Sequence, residues 1–155
     1  MINIFSGEKK VQFISRSTML DVINKDLLKG DTFIVSINDT QEEANEMAQV
    51  ILDKTDCEFL TYVFPDDDGG LKDSRDCASI ISNVEEYLQA GYKIVVHCFL
   101  GISRSGAVAK WINDYYSLGD LFLESYGNYN RSIYNSLNSY VGLDLASYYR
   151  NLEEN

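Results

Sequence analysis

The residues from His97 to Gly106, His-Cys-Phe-Leu-Gly-Ile-Ser-Arg-Ser-Gly, gather a thiol, a glycine, a guanidinium and two hydroxyls in one short stretch. They follow the apolar run Ile94-Val95-Val96 and precede Val108, Trp111, Ile112 and Tyr115 at helical spacing, so they read as a strand-to-helix loop. Such a loop aims successive backbone N–H groups into one concavity, and the helix behind it adds the positive end of its dipole; both favour a phosphate. Gly101 relieves crowding in the turn. Arg104, at the far end, can fold back and grip two phosphate oxygens with its planar fork. At a helix N-terminus beside a cation, the pKa of a thiol falls from about 8.5 to roughly 3.5–7.5. A Cys98 thiolate facing a phosphorus atom in that cradle is set for in-line displacement through a phosphocysteine. Ser105 can donate its hydroxyl to the sulfur when water releases the phosphate. His97 is expected to point into the protein and orient the loop rather than transfer protons. A buried cysteine after an apolar strand is ordinarily only a small hydrophobe. The complete set His-Cys-x5-Arg-Ser, with its glycine three after the cysteine, speaks for chemistry instead.

Holding that loop takes a sheet and the helices that cover it. The run 93–97 is almost wholly apolar, the mark of a central strand buried on both faces. Residues 32–37, rich in β-branched and aromatic side chains, and 58–64 read as further strands, with short runs at 3–5 and 11–14 at one side. Thr40-Gln41-Glu42-Glu43 reads as a capping box opening a helix whose buried face carries Ala44, Met47, Ala48, Ile51 and Leu52. A second helix is expected over 74–90, with Ile80, Ile81, Val84, Tyr87 and Leu88 on its apolar stripe and Gly91 as its stop. Two or three more helices follow Asp120, and Tyr126, Tyr129, Tyr134, Tyr140, Tyr148 and Tyr149 are read as core and surface packing. Strands alternating with helices give an α/β fold with a central, largely parallel sheet flanked by helices. No repeat, linker or composition shift divides the chain, so residues 1–155 are expected to form one domain.

At His97, Cys98, Gly101, Arg104 and Ser105 the sequence resembles the cysteine-dependent protein tyrosine phosphatases, whose loop reads His-Cys-x-x-Gly-x-x-Arg-Ser/Thr. The wording Gly-Ile-Ser-Arg-Ser is that of the small dual-specificity type. The resemblance implies a phosphotyrosine protein phosphatase-like fold and a phosphate held by the loop residues Phe99, Leu100, Gly101, Ile102, Ser103 and Arg104. It also implies a general acid, because a phenolate or alkoxide leaves badly without a proton. In the family this is an aspartate about thirty residues before the cysteine. The acidic run Asp66-Asp67-Asp68 fits, with Asp66 favoured by its place after Phe64-Pro65, Asp67 second and Asp68 third; the others would be a solvated turn. Tyr129-Asn130-Arg131 is similar to the family's Pro-Asn segment, whose asparagine braces the active site. The proline is absent here, so Asn130 is read as a brace or simply as a helix cap.

Composition limits the partners. The chain has 24 Asp and Glu against 13 Lys and Arg, a formal net charge of −11, which repels nucleic acid and anionic lipid headgroups. The variable loop positions Phe99, Leu100, Ile102 and Ser103 carry no cation. The resemblance implies that an inositol-phospholipid phosphatase would place basic residues there, and that an RNA phosphatase would carry Asn-Arg-Thr where this chain has Ser-Arg-Ser. The expected substrate is a phosphorylated protein or peptide bearing phosphotyrosine, with phosphoserine and phosphothreonine as further options. The apolar rim of Phe99 and Ile102 suits an aryl group. Cys57, Cys77 and Cys98 are odd in number, form no CxxC pair and have one histidine for company, so neither a disulfide framework nor a structural zinc site is expected. Cys57 and Cys77 are read as core. No metal or other cofactor is implied, since Arg104 and the loop amides supply the positive field. No apolar run reaches the roughly 20 residues of a membrane span, and the first residues lack a secretion signal; a soluble, cytoplasmic protein is expected. The rivals are a sulfur transferase or arsenate reductase, which usually lack the following Arg-Ser or place the cysteine early, and a non-catalytic phosphopeptide-binding module that kept the cradle.

Overall fold

The computed structural model describes the backbone of residues 9–154 and side chains through residue 142. The expected strand at 3–5 and the side chains of Tyr148 and Tyr149 lie outside the described residues. Four strands, β1 (Val11–Ser15), β2 (Thr32–Asn38), β3 (Glu58–Val63) and β4 (Lys93–Cys98), pair in parallel in the order β1-β4-β2-β3. The apolar run of β4 therefore sits inside the sheet, and all seven residues of its neighbour β2 are buried. β3, at one edge, alternates between exposed and covered positions as a strand with one dry face should.

Helices cover both faces. On one, α1 (Arg16–Asn24) and α2 (Gln41–Lys54) pack Met19, Val22, Met47 and Ile51 against Ile34 and Val95. On the other, α3 (Ser74–Gln89), α4 (Arg104–Tyr115), α5 (Leu121–Ser125) and α6 (Arg131–Glu154) meet Phe33, Val35, Ile37, Ile94, Val96 and Cys98. Side chains alternate along a strand, so Cys98 falls on the α4 face and His97 on the α2 face. Ten consecutive residues of α4, from Arg104 to Asn113, are buried, which makes it the central helix of its layer.

The capping residues act largely as read. Thr40 accepts from the Glu43 N–H at 3.1 Å, and Gly91 ends the α3 region with φ 85°. One position differs from expectation. Leu52 is 65% exposed, because Ala44, Met47 and Ile51 already fill the contact with the sheet and Leu52 falls beyond their stripe. Tyr115, at the last turn of α4, is 45% exposed and stacks on Trp111 at a centroid distance of 4.8 Å. Cys57 and Cys77 are buried free thiols. Among the described residues no helix is long and apolar enough to cross a membrane.

Candidate active site

The loop 98–104 leaves the carboxyl end of β4 and runs into the N-terminus of α4, the place where open α/β sheets hold ligands. Gly101 has φ 70°, and a Cβ added there would fall on the Ser15 backbone nitrogen, with the Ile14 carbonyl carbon 2.6 Å away. Only glycine combines this backbone conformation with so close an approach to the end of β1. The Arg16 N–H donates to the Phe99 carbonyl at 3.2 Å, so β1 and α1 seat the loop from below. From the opposite side the Tyr126 hydroxyl donates to the Ile102 carbonyl at 2.8 Å.

Inside this frame Cys98 is 2% exposed. The Gly101 N–H donates to its Sγ at 3.3 Å, and the Ser105 Oγ lies 3.1 Å from the same sulfur. Both contacts suit a sulfur that carries negative charge. Arg104, the first residue of α4, donates from Nη1 to the Phe64 carbonyl at 3.0 Å, and the same nitrogen forms an ion pair with Asp39 Oδ1 at 2.6 Å. Phe99, Leu100 and Ile102 stand at the rim, 51%, 67% and 45% exposed. A hollow of about 370 Å³ lined by Ser15, Arg16, Ser17, Leu20, Phe99 and Leu100 borders them.

The acidic run separates into three environments. Asp66 lies against the loop: its Oδ1 accepts from Ser103 Oγ and from Asn130 Nδ2, both at 2.8 Å. Asp67 turns into its own bend, where Oδ1 accepts from the Gly69 N–H at 2.8 Å. Asp68 borders a separate hollow of about 460 Å³ beside Ser132 and Ser136. Of the three, only Asp66 is joined to the cysteine loop. Asn130 bonds to the acidic run and to the cysteine loop and caps α6. Its Nδ2 also reaches the Asp67 carbonyl at 2.9 Å, its Oδ1 accepts from the Ile133 N–H at 3.0 Å, and its own N–H donates to the Ser103 carbonyl at 3.0 Å.

His97 is fully buried, and its Nε2 lies 2.6 Å from Ser36 Oγ on β2. Its side chain thus fastens the strand beneath the loop, on the face opposite the sulfur. Burial pushes its pKa down to about 4, with the guanidinium groups of Arg16 and Arg104 acting in the same direction. Unfolded, it titrates near 6.5. The neutral ring thus contributes its full stability above pH 6.5, and that contribution is lost as pH falls from 6.5 toward 4. Two and a half pH units correspond to roughly 3 kcal/mol. Urea unfolding at pH 7.5 and 4.5 should show this loss in the wild type and its absence in His97→Asn. Equal losses in the two proteins would refute the assignment.

One residue in this geometry was not singled out by the sequence. Asp39 ends no motif and lies far from Arg104 in the chain. Ser103, expected among the phosphate-holding loop residues, gives its hydroxyl to Asp66 rather than to capping α4. A family model described as Cyclin-dependent kinase inhibitor 3 (CDKN3) matches residues 28–120. The chain belongs to that family. The segment matched to the Cyclin-dependent kinase inhibitor 3 family spans more than half the chain and includes Asp39, Asp66 and the loop, and it stops short of Asn130. Among solved structures, the active form of Tk-PTP superposes over 88% of this chain and 81% of its own, with a TM-score of 0.52 and 20% identity. The human tyrosine phosphatase-like serine/threonine/tyrosine-interacting protein covers 84% and 87%, at 0.50 and 24%. PTPMT1 covers 91% and 95%, at 0.52 and 17%. At these identities the likeness is one of fold, that of the tyrosine and dual-specificity phosphatases. No curated protein sequence matches the chain significantly.

Proposed function

We propose that this protein is a phosphoprotein phosphatase that hydrolyses phosphotyrosine, with phosphoserine and phosphothreonine as further substrates, through a phosphocysteine intermediate. The observation that carries this reading is the Cys98 sulfur, set at the floor of the loop with the Gly101 N–H and the Ser105 hydroxyl both in reach and Arg104 beside it. In the first step the thiolate attacks phosphorus. The S–P bond forms, the P–O bond to the tyrosyl oxygen breaks, and Asp66 passes its proton to that oxygen. In the second step water attacks the phosphocysteine, Asp66 takes a proton from the water, and the sulfur leaves as thiolate with Ser105 hydrogen-bonded to it.

The bonds that position Asp66 both fall on Oδ1, which leaves Oδ2 as the oxygen to carry the transferred proton. The buried sulfur and the apolar rim of Phe99 and Ile102 favour a phosphate on a long aryl stem over one on a short alkyl chain. Asp66→Asn should lower kcat on an alkyl phosphate by about 10²-fold, within the usual range for a general acid. The loss should be smaller on p-nitrophenyl phosphate, whose leaving group needs less help. An equal loss on both substrates would remove Asp66 from the acid role, and Asp67→Asn and Asp68→Asn would then be compared. Saturable binding of phosphotyrosine peptides by a wild type that turns none over would instead assign a binding module.

A further inference from the structure

We infer that Asp39 is a positioning residue for Arg104, fixing one corner of the guanidinium so that its buried Nε stays free for a phosphate. The inference rests on the phosphate-binding reading of the loop. Arg104 is 6% exposed at its side chain, and both of its contacts fall on Nη1, through Asp39 Oδ1 and the Phe64 carbonyl. Its Nε is also buried, yet none of the described residues accepts from it. A buried N–H without an acceptor is costly. In a loop that follows the strand carrying Cys98, an oxyanion is the acceptor it lacks.

Asp39 is well placed to hold that corner still. It sits between Asn38, the last residue of β2, and Thr40, the N-cap of α2, so its backbone is fixed on both sides. Asn38 is itself locked. Its Nδ2 donates to Ser36 Oγ at 3.0 Å and to the Tyr62 carbonyl at 3.4 Å, while its Oδ1 accepts from Arg16 Nη1 at 3.1 Å. The Asp39 side chain is 45% exposed, so its carboxylate stays hydrated while it balances a guanidinium that is not. A charge anchored on a rigid element and touching only the back of Arg104 directs the fork without competing for its front.

A positioning role and a merely stabilising one separate by ligand. Vanadate takes the five-coordinate shape of the phosphoryl transition state, which needs the fork correctly aimed, whereas inorganic phosphate needs mainly the charge. In chelator-free buffer, Asp39→Asn should weaken vanadate binding roughly tenfold or more, leave inorganic phosphate within about twofold, and lower kcat rather than raise KM for p-nitrophenyl phosphate. Asp39→Glu, which keeps the charge, should fall between the variant and the wild type, and it serves as the test if Asp39→Asn does not fold. Unchanged vanadate affinity, or an equal loss for both anions, would overturn the inference. A wild type that binds vanadate as described but shows no turnover would overturn the phosphatase reading and leave the role of Asp39 standing.

Discussion

Replacing Cys98 with serine should reduce hydrolysis of p-nitrophenyl phosphate by on the order of 10⁴-fold or more, the scale of losing a covalent nucleophile. The substitution changes one atom at the floor of a buried site. Gly101 N–H and Ser105 Oγ, 3.3 and 3.1 Å from the sulfur, can serve an oxygen equally well as partners. The loop should therefore persist and vanadate should still bind, while the hydroxyl, far less ionised than a thiol, cannot attack phosphorus at a useful rate. Turnover is measured with EDTA and reductant present, and vanadate binding separately without chelator. A serine variant that retains more than a hundredth of wild-type turnover would require another nucleophile.

Arg104→Lys should cost about 10³-fold in kcat, although it conserves the charge. Lysine offers a single ammonium in place of a fork, so the buried Nε donor disappears along with the paired geometry. It also shortens the reach to the Phe64 carbonyl, 3.0 Å from Nη1, where the acid loop begins. Arg104 therefore joins the phosphate site to the segment carrying Asp66, and the two positions should not act independently. The double variant Arg104→Lys with Asp66→Asn should lose less than the product of the single losses. A lysine variant within tenfold of wild type would mean that charge alone suffices.

The cysteine loop was legible because its chemistry is local: nucleophile, glycine, arginine and serine must follow one another closely to encircle one phosphate. The interior place of β4 was legible for a similar reason, since a strand covered on both faces reads as a nearly continuous apolar run. Asp66 could be ranked above Asp67 and Asp68 by its place directly after Phe64-Pro65, whereas its bonds to Ser103 and Asn130 join segments that only the fold brings together. Asp39 was not found, because an ion pair across the sheet leaves no spacing in the chain. The signal available was positional: Asp39 directly follows β2, neighbour of β4, and carboxyl ends of adjacent parallel strands share one crevice. Leu52 was misplaced for a different reason. Helical periodicity says which way a side chain faces, and the width of the covering layer decides whether anything is there to bury it.

The seating of the loop on β1 has a consequence for how the molecule comes together. Val11 pairs with Ile94 and Ser15 with Cys98, partners separated by some eighty residues of chain. Emerging early in synthesis, β1 stays without its neighbour until most of the sheet has been made. Closure over so long a separation is slow, and Gly101 cannot settle against Ser15 before it happens. The cysteine loop should thus take its final shape in the last stage of folding, after the β2–β3 pair, and a nascent chain halted before β4 would display an apolar edge with nothing yet to reward its pairing.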